Sequence, residues 1–239
     1  MKYKTIELTR VQGVPVLFLN RPKKLNAISS RMTEELEDAL QRLRKSGVKG
    51  FVITGRGRAF CAGVDLTEIR KRRAQDAFER RNAKLFDEIE SFPGITIASI
   101  NGLAYGGGFE LTLSCDLRFA AAEAVFCLPE LKLGILPSAG GLRRLPPLIG
   151  FSAAKEVILT AKKIPALEAQ ALQLVHHVTQ ADSLLQYSVK RMKALQGISR
   201  MALRGAKLLL NASMQSSSPD RIAVESFAQA LLFEKQAGE

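Results

Sequence analysis

Short apolar runs alternate with helical patterns through the first half of the sequence. The runs 51–55 (FVITG) and 95–100 (ITIASI) are rich in β-branched residues and end near glycine or asparagine, which favours buried strands. Helical spacing of apolar residues precedes the first run and separates the two, from about residue 30 to Gly47 and from about 65 to 89. Strand–helix–strand order favours parallel pairing through crossover helices. The sequence therefore predicts an α/β fold.

Further elements extend this pattern in both directions. Strands are predicted at 4–9 and 14–19, as a hairpin around Gly13, and at 117–121 and 124–128. Helices are predicted at 109–115, 139–160, 165–172, 184–195, 199–213 and 219–235, the last after the polar segment 213–220. These patterns divide the chain into an α/β core to about residue 150 and a helical tail. We expect the tail to pack on the core or on a neighbouring subunit.

Size and composition are those of an ordinary globular protein. The 239 residues are 46% hydrophobic and 24% charged, which suits one compact domain. No apolar run reaches the roughly 18 residues of a membrane helix. The opening segment, MKYKTIELTR, has no apolar core of the secretory kind, which favours a cytoplasmic protein.

Cysteine and histidine usage argues against a metal site. Cys61, Cys115 and Cys127 form no CxxC pair, so we expect buried, reduced thiols. The only two histidines, His176 and His177, are adjacent and point in different directions on a helix or strand. No metal ligands are predicted.

The formal net charge of +12 favours an anionic partner, either nucleic acid or a phosphorylated small molecule. Many basic residues fall between Arg70 and Arg81, where a solvated helix face is the simpler interpretation. There is no RNA-binding aromatic motif and no tryptophan, which disfavours nucleic acid.

Two glycine-containing loops follow the predicted parallel strands. In the loop 56–66 (RGRAFCAGVDL), Ala62 and Gly63 let the backbone present N–H groups. In the loop 101–111 (NGLAYGGGFEL), three glycines lead into a helix. Either loop alone could bind phosphate or merely permit close packing. Because ligands bind at the carboxyl ends of such strands, the two loops together predict paired N–H donors for an oxyanion.

Glu110 and Glu130 are the candidate acid–base groups. Glu110 lies among Phe109, Leu111 and Leu113, an apolar neighbourhood that would raise its pKa. Glu130 follows Pro129. The alternative is structural: each is equally explained as an acidic residue favoured at the start of a helix.

Five blocks then indicate a family. NRPKKLNAIS, GRAFCAGVDL, INGLAYGGGFEL, CDLRFAAAEAVFCLPELKLGILPSAGGLRRLPPLIG and AKEVILTAKKIPALEAQALQLVHHV occur in this order. As an ordered set they resemble the signature blocks of the crotonase (enoyl-CoA hydratase/isomerase) superfamily, closest to enoyl-CoA hydratase. The likeness runs from about residue 3 to residue 180, and only the helical pattern continues beyond.

The resemblance implies a role for individual residues. It places the oxyanion-hole N–H groups on Val64 and Gly107 and the catalytic carboxyls on Glu110 and Glu130. It assigns coenzyme A binding to the segments that contain Lys24, Leu25, Asn26, Ala27, Ala62, Val64, Asp65 and Leu66. The implied reaction adds water across the double bond of a 2-enoyl-CoA. Coenzyme A is then part of the substrate, and no separate cofactor or metal is required.

The resemblance also implies an architecture. A crotonase-like ββα spiral core with the CoA-thioester site would occupy residues 1–180. Residues 181–239 would form a C-terminal helical oligomerisation region in the same compact unit. A homotrimer or hexamer without membrane contact is expected.

Several positions depart from the family pattern. Leu128 replaces a usual glutamine, Ser138, Leu142 and Arg143 alter the following loop, and Gln173 replaces a usual glycine. The family also continues with a basic helix beyond EKQAGE that often completes a neighbour's CoA pocket. These departures keep other hypotheses open: an isomerase or decarboxylase that chiefly uses Glu130, a CoA binder without turnover, and an RNA-binding homologue.

Overall fold

Two largely parallel sheets organise the chain in the computed structural model, which describes residues 3–70 and 79–213. The larger sheet contains β1 (Ile6–Val11), β2 (Val14–Leu19), β3 (Gly50–Gly55), β5 (Ile95–Ile100), β7 (Leu117–Ala121) and β10 (His177–Thr179), paired in that order. The smaller sheet contains β4 (Ala59–Cys61), β6 (Leu103–Tyr105), β8 (Val125–Cys127) and β9 (Ile164–Pro165), also paired in that order. Among the strands of the described residues, only the outer pairs β1–β2 and β8–β9 are antiparallel.

Helices connect and cover these strands. They are α1 (Ser30–Lys45), α2 (Leu66–Ile69), α3 (Arg81–Glu90), α4 (Gly107–Leu113), α5 (Gly141–Ile149), α6 (Phe151–Thr160), α7 (Ala166–Ala171), α8 (Ala181–Ala194) and α9 (Arg200–Ser213). Short 3₁₀ turns span Pro22–Lys24 and Glu130–Leu133. Within the described ranges, no helix is long and apolar enough to cross a membrane.

The chain passes repeatedly from a strand of the larger sheet to a strand of the smaller sheet and then to a helix. β3, β4 and α2 form one such ββα unit, and β5, β6 and α4 form the next. β7 and β8 repeat the step and end in the 3₁₀ turn at Glu130. The predicted α/β class and the ββα core are confirmed.

Helix α8 covers one face of the larger sheet. Leu184, Val189 and Met192 are buried in a cluster with Val52 and Ile97 of the central strands. Burial of three large apolar side chains on the sheet contributes about 1.5–3 kcal/mol each to folding. Helix α8 is therefore packed on the α/β core.

The predicted strands of the larger sheet are confirmed at 4–9, 14–19, 51–55, 95–100 and 117–121, with shifts of one or two residues. The predicted strand 124–128 is also confirmed, as β8 of the smaller sheet. The sequence did not predict β4, β6, β9 and β10. These strands have only two or three residues, too few to show alternation.

Helix boundaries are corrected at three places. Ser29 rather than Ser30 caps α1, because the Ser29 hydroxyl accepts from the Met32 N–H at 3.3 Å. The predicted helix 139–160 is two helices separated at Gly150, which has φ 80°. The predicted helix 65–89 is observed as α2 and α3, and residues 71–78 between them lie outside the described residues. So does the predicted helix 219–235.

Two smaller predictions are also resolved. Cys61, Cys115 and Cys127 are free and buried, as expected. Gln173, at the position of a usual family glycine, has φ 61° in the left-handed region that favours glycine. The backbone of Gln173 is therefore strained at this turn, at a cost on the order of 1 kcal/mol.

Candidate active site

The smaller sheet brings the three candidate segments together. β4 ends at Cys61 before the loop 62–65, β6 ends at Tyr105 before the glycine triplet, and β8 ends at Cys127 before Glu130. β4, β6 and β8 are parallel neighbours, so their carboxyl ends lie at one edge of the sheet. Loops that are far apart in sequence are thereby placed side by side.

The amides of Val64 and Gly107 are adjacent at this edge. A Cβ atom at Gly107 would lie 3.5 Å from the Val64 nitrogen, and one at Gly63 would lie 3.4 Å from the Gly107 nitrogen. Gly63 has φ 97°, which favours glycine and turns the chain between β4 and α2. In the part of the chain that the structure describes, neither N–H has a protein acceptor. Both are free to donate to a ligand atom.

Glu110 lies in the first turn of α4 and is only 3% exposed. Its Oε1 accepts from the Gly141 N–H at 2.9 Å. Burial raises the pKa of Glu110 to about 7, while N–H groups of residues 139–141 and the positive charge of Arg144 act in the opposite direction. These donors favour the ionised carboxylate within a site that otherwise disfavours charge.

Glu130 opens the 3₁₀ turn after β8 and is 8% exposed. Its Oε2 has no hydrogen-bond partner among the described residues. Burial, followed by the charge of Glu110, raises the pKa of Glu130 to about 7. A Cβ atom at Gly106 would lie only 2.8 Å from Glu130 Oε1, so the carboxyl occupies space that a larger residue at this position would fill.

The two carboxyls interact with each other, since the charge of Glu110 raises the pKa of Glu130. Glu110 has backbone donors that stabilise its anion, whereas Glu130 has an unpartnered oxygen. The backbone donors therefore make Glu110 the better candidate for a proton acceptor and Glu130 the better candidate for a proton donor.

The two segments predicted to bind coenzyme A are also neighbours. The Ala62 N–H donates to the Leu25 carbonyl at 2.9 Å, and the Asp65 carboxylate pairs with Arg21 at 3.0 Å. Asp65 also caps α2 by accepting from the Thr67 N–H. The segments 24–27 and 62–66 are thus adjacent and form one surface, which includes Val64.

Within that surface, individual side chains differ in availability. Asn26 is fully buried, and its amide group donates to the carbonyls of Arg56 and Ala59 at 2.9 and 2.8 Å. Its side chain therefore holds the loop rather than facing a ligand. Lys24 is exposed, as is Leu66, at 53%. These two side chains are accessible to a bound molecule.

The family membership of the chain rests on a sequence match over nearly its whole length. Residues 9–238 match the model of the enoyl-CoA hydratase/isomerase family. The chain belongs to this family, within the crotonase superfamily. A crotonyl-CoA hydratase from Syntrophomonas wolfei is 36% identical over 99% of this chain and 92% of that protein.

Solved structures agree with this membership. An enoyl-CoA hydratase subunit from Geobacillus kaustophilus has a TM-score of 0.93 at 34% identity, covering 98% of this chain and 91% of that one. The enoyl-CoA hydratase of Bacillus anthracis has a TM-score of 0.90 at 33% identity, covering 95% and 90%. The crotonase fold of the chain is therefore shown by both sequence and structure.

Sequence reasoning missed two parts of this crotonase site. The loop 139–141 donates to Glu110 from the start of α5, and Arg144 approaches the same carboxyl. The glycine pair Gly140–Gly141 before a helical pattern was the available signal, because N–H groups at a helix start are unpaired. No sequence signal distinguished buried Arg144 from exposed Arg143.

Proposed function

We propose that this crotonase-family protein is an enoyl-CoA hydratase that adds water across the 2,3 double bond of a 2-enoyl-CoA. The observation that supports this most strongly is the pair of buried, mutually interacting carboxyls, Glu110 and Glu130, beside the free amides of Val64 and Gly107. Hydration needs a proton acceptor, a proton donor and an oxyanion site at once, and this arrangement supplies all three.

The two amides act on the thioester carbonyl. When water attacks C3, the π electrons of the double bond move toward C1 and negative charge develops on the carbonyl oxygen. N–H donors of Val64 and Gly107 stabilise that oxyanion, each by roughly 3–4 kcal/mol of barrier. This polarisation makes C3 electrophilic.

The two carboxyls move the protons. Glu110, held as a carboxylate by its backbone donors, accepts a proton from water while the oxygen forms the bond to C3. Glu130 then gives its proton to C2 of the enolate, which yields a 3-hydroxyacyl-CoA. The cycle closes when Glu110 releases its proton to water and Glu130 takes one up, which restores both groups for the next turnover.

Coenzyme A binding and assembly are part of the same proposal. The surface formed by residues 24–27 and 62–66 would hold the adenine and phosphates, with the exposed Lys24 ammonium available to phosphate. We further infer a homotrimer or hexamer. The large apolar side chains of Phe151, Leu159 and Leu167 are 67–71% exposed in the single chain, and neighbouring subunits would cover them. Light scattering tests this inference: a monomeric mass would contradict it.

The function is tested with crotonyl-CoA, whose conjugated-enoyl absorbance disappears on hydration. We expect the wild-type protein to convert it to 3-hydroxybutyryl-CoA. Glu110→Gln and Glu130→Gln should each lower kcat by roughly 10²–10⁴-fold, the usual contribution of one general acid or base. Glu123→Gln is the matched control, since Glu123 is exposed on the turn between β7 and β8.

Other outcomes separate the remaining reactions of the family. Conversion of a 3-enoyl-CoA to the 2-enoyl isomer, with full activity in Glu110→Gln, would indicate an isomerase that uses Glu130. Loss of carbon dioxide from a carboxyacyl-CoA would indicate a decarboxylase. Retained hydration in both glutamine variants would overturn the assigned roles.

A further inference from the structure

The loop 139–141 makes hydrogen bonds both with Glu110 and with the guanidinium of Arg144. The Gly141 N–H donates to Glu110 Oε1 at 2.9 Å. Arg144 Nη1 in turn donates to the Ala139 carbonyl at 3.0 Å. The loop that presents donors to the carboxylate is therefore itself bonded to a charged side chain.

The contact between Arg144 and the loop is close. Gly140 has φ 127°, and a Cβ atom there would lie 1.9 Å from Arg144 Nη1. The guanidinium thus occupies the space in which any other residue at position 140 would place its side chain. The loop is therefore packed directly against the guanidinium.

Arg144 is anchored on its far side by helix α3. Its Nη2 donates to Asp87 Oδ1 at 2.6 Å and to Glu90 Oε2 at 2.8 Å, and the side chain is 3% exposed. Only a planar guanidinium presents several donors in fixed directions, so it can bond the loop and two carboxylates simultaneously. The result is a rigid connection from α3 through Arg144 to the loop.

We propose that Arg144 is a positioning residue for Glu110: it fixes the loop 139–141 and thereby the orientation of the carboxylate that accepts the proton from water. This inference rests on the proposed hydratase function for its kinetic consequence. It extends that function by placing a part of the catalytic apparatus on α3 and α5, outside the two glycine-containing loops.

The neighbouring arginine provides an internal comparison. Arg143 also pairs with Asp87 and lies 3.6 Å from Glu90, yet its side chain is 49% exposed. Among the described residues, the Arg143 side chain makes no hydrogen bond to the loop; only its backbone N–H does, to the Gly140 carbonyl at 3.2 Å. The two arginines therefore share the same acidic partners but differ in contact with the Glu110 support.

Few charged groups influence Glu110. Arg144 faces it from α5 and Glu130 from the 3₁₀ turn, and Asp87 and Glu90 of α3 partly balance Arg144. On the β4 side, burial raises the pKa of the Cys61 thiol to about 12, so it stays neutral in the working range. Arg144 is thus the cation whose removal should raise the proton affinity of Glu110.

The kinetic test uses Arg144→Lys and Arg144→Met in the full-length protein, with Arg143→Met as the control. We expect kcat for crotonyl-CoA to fall roughly tenfold or more in both Arg144 variants, because a misplaced catalytic group is costly, with KM little changed. In Arg144→Met, the lower pKa of the kcat profile should also rise by about one pH unit. Arg143→Met should keep the wild-type profile.

A second readout does not depend on turnover. The carboxyl band of Glu110, identified by its loss in Glu110→Gln, is followed by infrared titration in the wild-type and variant proteins. A higher pKa of Glu110 in Arg144→Met, but not in Arg143→Met, supports the proposal even if no enoyl-CoA is hydrated. A lack of hydration would overturn only the proposed function. An unchanged Glu110 titration together with unchanged kcat would overturn the role of Arg144.

Should neither Arg144 variant fold, Asp87→Asn is measured in the same way. Asp87 is 39% exposed; it pairs with the Arg144 guanidinium and with Arg143, and its Oδ2 lies 4.0 Å from Arg80 Nη2. We expect kcat to fall less than in the Arg144 variants, with KM unchanged. A wild-type kcat would contradict the proposal.

Discussion

At the scale of single residues, the site keeps two carboxyl groups away from water without an ion-pair partner in the described chain. Glu110 and Glu130 are 3% and 8% exposed, and burial is the main reason that both pKa values rise to about 7. An ionised carboxylate in such a place costs folding free energy. The groups proposed to move protons should therefore destabilise the fold as they ionise.

This cost gives a pH dependence with a definite sign. The ordinary pKa of 4.5 is lower than the folded value of about 7, so between these pH values the native protein binds more protons than the unfolded chain. The free energy of unfolding should therefore decrease as the pH rises through this range. The effect is complete above about pH 7 and absent below about pH 4.5.

Glu130→Gln should remove part of that decrease. We expect the wild-type protein to lose about 1–3 kcal/mol more stability between pH 5 and pH 8 than this variant, since the glutamine cannot ionise. Urea unfolding at the two pH values measures the difference, with exposed Glu123→Gln as the control. A wild-type pH dependence in Glu130→Gln would show that Glu130 does not ionise in this range.

Residue identities near the site were predictable from the sequence, but their partners were not. Glu110 and Glu130 stood out as acids in apolar segments. Arg144 did not, because the sequence LRRL gives no indication of which arginine is buried. The resemblance placed Asn26 in a coenzyme A-binding segment; that its buried amide bonds the turn at 56–59 is a contact between distant segments that only the fold reveals.

At the scale of elements, the smaller sheet is what positions the site. Three of its strands end at Cys61, Tyr105 and Cys127, directly before the candidate segments. The longer strands of the larger sheet were predicted because β-branched runs such as ITIASI are distinctive. Strands of three residues have no such pattern, so the element that aligns the amides and carboxyls was missed.

Packing between β4 and α4 should be sensitive to one added methyl group. A Cβ atom at Gly108 would lie 2.2 Å from the Cys61 carbonyl oxygen, a backbone atom that can move only with its strand. We expect Gly108→Ala to cost about 2–4 kcal/mol of stability and to lower kcat, because overpacking would push α4 away from β4 and separate Gly107 from Val64.

Gly205→Ala is the control for that variant. Gly205 lies in α9 with nothing within 4 Å of its Cβ position, so alanine should stabilise the helix by about 0.5–1 kcal/mol. Thermal unfolding and the crotonyl-CoA assay measure both variants. Wild-type stability and activity in Gly108→Ala would contradict the proposed dependence of the site on β4–α4 packing.

At the scale of the whole molecule, the ββα repeat explains why distant residues converge. Val64, Gly107 and Glu130 follow successive strands of one parallel sheet, and the chain returns to that sheet after each crossover. The ordered signature blocks allowed this architecture to be predicted. The loop 139–141 and the cover formed by α8 could not be derived from pattern alone, since both depend on contacts made after the sheets are assembled.

The central claim is that two main-chain amides and two carboxyls meet around one thioester. A crystal structure with bound acetoacetyl-CoA tests it most directly. We predict that the thioester oxygen lies about 2.7–3.1 Å from both the Val64 and Gly107 nitrogens. Glu110 and Glu130 should both face the carbons next to that thioester. A carbonyl bound away from either amide, or carboxyls that open into separate cavities, would contradict the claim.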